Sequence, residues 1–210
     1  MQTLSIDRKI DEINTEHNSE IKTIEENNIN FTSSFLESSV LLDSAREDRA
    51  FGNYHFDLGR LFYSSLLNEN NETVMNQYKN NSLDNCSKAM PYYLTAHENF
   101  LISNDFFDKT KSFTSYDNYL KLLSMYVNLT DVGAQVTMLR YNASLYLKRI
   151  VENITYVNGS SYLGNASSDL LDLFNFTMES YGLLAGEYED IQDEIDEYDI
   201  KGFSTIREPN

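Results

Sequence analysis

The chain has 210 residues and a formal net charge of −17, with 15 Tyr and 12 Phe but only 8 Gly and 2 Pro. Aromatic residues at that level set it apart from acidic disordered chains, and the charge excludes the clustered Lys and Arg that a nucleic-acid backbone or an anionic lipid surface requires. So few Gly and Pro residues favour long helices over sheets and loops, and the length suits one domain, residues 1–210, with a sizeable core.

The first expected helix, over 3–29, places Ile6, Ile10, Ile13, His17, Ile21, Ile24 and Asn28 at three- and four-residue steps that continue through Phe31 and Phe35. That is a coiled-coil-like seam with two polar interruptions. A second helix is expected over 34–67, where Ser34 with Glu37 and Ser44 with Glu47 match capping-box spacing. Asn-rich stretches at 68–73 and 80–85 read as loops and bound helices over 72–82 and 86–104.

Thr114 or Ser115 starts a helix over 115–128, and another follows over 131–157. On the latter, Val132, Val136, Leu139, Ala143, Leu147, Ile150 and Ile154 form an apolar stripe. Asp131, Gln135, Asn142, Arg149 and Asn153 fall on a polar strip beside it. Residues 157–167 read as a loop. Ser168 starts the last helix, over 168–200, whose seam runs Leu171, Phe174, Met178, Tyr181, Ala185, Tyr188, Ile191, Ile195 and Tyr198, and Lys201 with Gly202 gives a stop. Gly182 and Gly186, four apart, suggest a close helix approach.

No strand pattern is expected. The fold class is all-α, an elongated antiparallel helical bundle whose terminal helices, about 3–29 and 168–200, pack together as a stalk.

Few residues suggest chemistry. None of His17, His55 and His97 follows a Glu by three positions, and no His-Glu-x-x-His is present, so neither metal nor cofactor is expected. Cys86 is the only cysteine and has no adjacent His to activate it. The acidic run 187–199 alternates with apolar residues at helical spacing and reads as a solvated face rather than a calcium loop. The chain is not expected to be an enzyme. The candidate ligand residues are Arg46, Arg49, His55 and Arg60, a cationic cluster within 44–60 interleaved with Phe51, Tyr54 and Phe56 and suited to an anionic small molecule. The plainer reading of the same residues is ion pairing such as Arg46 with Asp43, with the aromatics in the core.

The strongest pattern is Asn-x-Ser/Thr, the acceptor for N-glycosylation. Ten asparagines satisfy it: Asn30, Asn71, Asn80, Asn85, Asn128, Asn142, Asn153, Asn158, Asn165 and Asn175. With 23 asparagines in all, composition alone would produce roughly four. Between residues 119 and 209 all six asparagines match.

The start MQTLSIDRKIDEI lacks the basic and apolar segments of a secretory signal, so the expectation is either a cytosolic protein or a piece of a longer exported chain. The sequons favour an extracytoplasmic, membrane-anchored sensory or ligand-binding module. Its partner would be a small ligand or a protein, its membrane attachment would lie outside this chain, and its seam is compatible with a homodimer. A structural or adhesive surface protein and a cytosolic helical scaffold are the alternatives.

Overall fold

The computed structural model describes residues 2–157, 160–163 and 167–198. It is an all-α bundle of α1 (Gln2–Leu67), α2 (Glu72–Thr110), α3 (Asp117–Glu152) and α4 (Ser167–Glu197), with a 3-10 turn at Lys111–Phe113 and a hairpin of β1 (Ile154–Val157) and β2 (Ser160–Leu163). Successive helices run antiparallel. Ser34 Oγ donates to the Phe106 carbonyl and Ser82 Oγ to that of Gly59 between α1 and α2. Asn104 and Lys79 of α2 donate to Val127 of α3 and to Ile154 just beyond its end. On α4, Tyr181 meets Arg140, and just past its end Tyr198 meets Lys121.

Three expected interruptions do not exist. Residues 29–34, 80–86 and 128–131 are helical throughout. Asn, Ser and Thr disfavour a helix interior by at most about 0.7 kcal/mol each, which burial of one face outweighs. At each place the polar side chains also bond back onto the helix: Thr32 to the Asn28 carbonyl, Asn85 to that of Asn81 and Thr130 to that of Tyr126. Ser34 and Ser44 are therefore interior residues of α1 rather than caps, and Ser44 accepts from Asn99 of α2. Asn71 does cap α2, its Oδ1 accepting from the amides of Thr73 and Val74.

The hairpin is a second departure. It pairs Ile154 with Leu163 in antiparallel register, and Ile154 is buried in the core. Lys79 Nζ fixes its base by donating to the carbonyls of Glu152 and Ile154, so α3 stops at Glu152 rather than near 157. The expected stop at Lys201 and Gly202 lies outside the described residues.

Two core clusters fill the bundle. Phe35, Leu42, Phe100, Phe107, Leu123, Leu129, Tyr188 and Ile195 occupy one end, and Phe56, Leu66, Met75, Cys86, Tyr93, Leu147 and Ile154 the other. Among the described residues, the close-approach glycines are Gly52, Gly59 and Gly133. A Cβ on Gly133 would lie 2.6 Å from Phe100, and one on Gly52 2.7 Å from Tyr93. Gly182 and Gly186 have nothing within 4 Å of such a Cβ, so the expected close approach there is not made.

The terminal helices meet through the second half of α1. Phe56 packs on Phe174, and Arg46 reaches Tyr188. The earlier part of α1 does not join them. Ile13, Ile21 and Ile24 are exposed, at 63%, 41% and 60%, so that stretch of the seam has no cover from α4. With a rise of 1.5 Å per residue, the part of α1 preceding Ile24, which still borders a concavity with Phe113, Tyr116 and Tyr119, projects roughly 30 Å from the bundle. It leaves from the end where Phe31 packs on Tyr119 and where Tyr198 sits by Lys121.

Candidate ligand cleft and sequon surface

The four candidate ligand residues do not converge. Arg46 is half-buried and engaged through each of its three nitrogens: it donates to the Tyr188 hydroxyl, to Gln192 Oε1 and to Asp43, the last at 3.3 Å. This includes the ion pair with Asp43 expected from their spacing. His55 faces α2 instead, 3.1 Å from Asn85 Oδ1 and stacked on Tyr92. It borders an open concavity of about 520 Å³ together with Asp48, Lys88 and Pro91. There burial, and after it the neighbouring Glu47 carboxylate, raises the Asp48 carboxyl above its ordinary value. Arg60 is exposed beside the Phe56 ring. Of the interleaved aromatics, only Phe56 enters the core; Phe51 and Tyr54 are exposed.

Arg49 is placed differently. Its guanidinium carbon lies 4.2 Å from the Tyr188 ring centre and 5.7 Å from that of Phe100. It lines a cleft of about 260 Å³ with Asn53 of α1 and Val136 of α3. The α4 wall is a helical stripe of Tyr181, Ala185, Tyr188, Glu189, Gln192 and Asp193, and the small Ala185 side chain leaves the gap. No hydrogen bond or ion pair joins Arg49 to any described residue, and the same holds for Glu189 and Asp193. Among the described residues, the cleft therefore presents a guanidinium held only by ring faces and two carboxylates without a cationic partner.

Beneath it lies Arg140 of α3, which sequence reasoning missed. This side chain is only 9% exposed. Its charge faces Asp57 at 3.9 Å, and its Nε and Nη1 have no hydrogen-bond partner. Burial pushes the nearby Tyr93 phenol up, against the opposing pull of Arg140, and Tyr93 donates to Asn53 Oδ1 on the cleft wall. An arginine in an otherwise apolar helical stripe was the available signal: Arg140 follows Val136 by four positions and precedes Ala143 by three.

Among the described residues, no three His, Cys, Asp or Glu side chains gather as metal ligands, and no helix is long and apolar enough to cross a membrane. Cys86 is buried, and that burial pushes its thiol up to about 12.

Of the sequon asparagines, Asn30, Asn71, Asn80, Asn128, Asn153 and Asn175 are exposed and Asn85 and Asn142 half-buried; Asn158 and Asn165 lie outside the described residues. Asn128, Asn142 and Asn153 fall within about 40° of one another on α3. That strip also carries exposed Asp131, Gln135 and Arg149, as the helical wheel indicates. The interior uses other asparagines, none in a sequon: Asn53, Asn99 and Asn104 bond to Tyr93, Ser44 and Val127 on neighbouring helices. Asn85, bonded to His55, is the exception.

These features define an antiparallel four-helix bundle with a polar interhelical cleft and a sequon-bearing surface. No protein-family model matches the chain, and no curated protein or solved structure is significantly similar to it.

Proposed function

We propose that this chain is an extracytoplasmic, N-glycosylated ligand-binding module of a membrane-anchored protein, acting as a sensor. The observation that carries this reading is the sequon set: ten acceptors, of which none of the eight described has a buried asparagine. Most other asparagines are exposed too, so exposure permits modification, and it is the excess of sequons that selects it. Ser82, Thr130, Ser144 and Thr177, the hydroxyl residues of four sequons, are buried. At those sites the sugar is added before the helix closes.

The sensory part is supported by the cleft. It lies where α4 leans on α1, and the two helices reach the same end of the bundle at Tyr198 and Phe31. A ligand that drew α4 towards Arg49 would shift both helices there by an ångström or so, the scale at which packed helices transmit signals. Attachment to the membrane would be through segments outside these 210 residues.

Exposure of native cells to a membrane-impermeant protease tests the location. Digestion of the chain on intact cells is expected; protection until lysis would contradict the reading and favour a cytosolic scaffold. A second reading, a structural or adhesive surface protein, is favoured by one observation: the uncovered Ile13, Ile21 and Ile24 of α1, an apolar strip suited to assembly.

A further inference from the structure

The cleft between α1, α3 and α4 carries charges of both signs that have no ionic partner among the described residues. Arg49 is held by ring faces: its guanidinium carbon lies over the Tyr188 and Phe100 rings, and its N–H groups have no acceptor among the described residues. Arg46, one turn away, shows the contrasting case of an arginine whose three nitrogens each donate, to Tyr188, Asp43 and Gln192. Glu189 and Asp193 stand four residues apart on α4, hence on one face, and neither is paired with a cation among the described residues.

An anion alone would meet repulsion from these two carboxylates, and a cation alone would meet Arg49. A molecule with both charges satisfies each wall. The space, about 260 Å³, accommodates a body of few heavy atoms, and its apolar lining of Val136, Ala185 and the Tyr181 and Tyr188 rings suits a compact hydrocarbon or aromatic side group.

We propose that this cleft binds a small zwitterion of the α-amino-acid class, its carboxylate on Arg49 and its ammonium between Glu189 and Asp193. This specifies the ligand for the binding half of the proposed function and is independent of glycosylation. Failure here leaves the surface assignment untouched, and unmodified asparagines leave the cleft untouched.

The test is titration calorimetry of the full chain with each standard α-amino acid up to about 10 mM, beside the N-acetyl and carboxamide derivative of any that binds. Saturable binding of at least one amino acid is expected. Either blocking group, Arg49→Gln or Asp193→Asn should weaken it by roughly tenfold to a hundredfold, the loss of one charge-assisted contact. Ala185→Leu should abolish it by filling the gap, and Arg60→Gln, on exposed surface, should leave it unchanged. Asp193 is exposed, so its variant keeps the test valid if Arg49→Gln disturbs folding. No binding by any member of the panel overturns the proposal, as does undiminished binding of the carboxamide or by the Ala185→Leu protein.

Discussion

The guanidinium carbon of Arg140 lies 3.8 Å from the ring centre of Tyr181 and 4.9 Å from that of Phe56, so one side chain of α3 ties α4 to α1. The arrangement combines a favourable ring contact with an unfavourable feature, two buried nitrogen atoms that lack acceptors. Asp57 is 62% exposed and needs no partner once Arg140 is gone. Arg140→Met, which keeps the volume and removes the buried charge, should therefore change stability by no more than about 1 kcal/mol. Arg140→Ala, which leaves a cavity under Tyr181, should cost about 2–4 kcal/mol. Urea denaturation followed by circular dichroism distinguishes the two, and equal large losses would show that the charge itself holds the helices together.

The glycines divide by what surrounds them. Gly133→Ala gains about 1 kcal/mol of helix propensity but drives a methyl into the fully buried Phe100 ring, so a net loss of about 1–3 kcal/mol is expected. Gly182→Ala and Gly186→Ala meet no atoms within 4 Å and should each add about 0.5–1 kcal/mol. Thermal melts of the three variants give the signs directly; a stabilising Gly133→Ala would contradict the packing of α2 on α3.

Cys86 should be inert in the folded chain. Its thiol, pushed up to about 12 by burial, remains protonated at neutral pH, whereas the unfolded thiol ionises near its ordinary value of 9.0. Modification by an aromatic disulfide reagent at pH 8 should be slower in the native than in the denatured protein by orders of magnitude. The sign of the linkage follows: the unfolded state releases the proton first, so this contribution to stability is complete below about pH 9 and is lost as pH rises towards about 12. Rapid native labelling at pH 8 would show that the thiol is not enclosed.

The exposed strip on α1 separates assembly from folding. Ile13→Ser with Ile21→Ser removes exposed apolar surface away from the bundle, so stability should stay within about 0.5 kcal/mol per site. Any self-association seen by sedimentation should disappear in that variant. In the unaltered chain it should strengthen with salt, because exposed Glu16, Glu20 and Glu25 flank the strip with like charge. A large loss of stability would mean that the strip is buried within the monomer.

Much of the architecture was legible because its signals are periodic. The stripe through Val132, Val136, Ala143, Leu147 and Ile150 is buried on α3, and the turn at 68–71 lies within the Asn-rich stretch expected to be a loop. What misled were local composition signals that long-range packing overrode. The Asn-rich segment around Asn80 and Asn81 stays helical because Met75, Ser82, Cys86 and Ala89 bury one face of α2. The hairpin carried its own signal: Ile154 to Val157 and Ser160 to Leu163 flank an Asn-Gly dipeptide, a strong short-range hairpin pattern. The apolar stripe reaching Ile154 ran over it as one longer helix. At the cleft, Arg49 was legible as a cation among aromatics. Its separation from His55 and Arg60 depends on which faces of α1 meet α2 and α4, and Glu189 and Asp193 reach the same cleft only through the antiparallel return of the chain.

The central claim is that the asparagine pattern is used. Peptide mass mapping of the protein from its native cells, with and without enzymatic deglycosylation, tests it at single sites. Glycan mass is predicted on exposed Asn128 and Asn153 of the α3 strip and on Asn71, whose cap bonds engage Oδ1 and leave Nδ2 for the sugar. Asn85, bonded to His55, should carry the least. Unmodified asparagine at every sequon in that material would contradict the account.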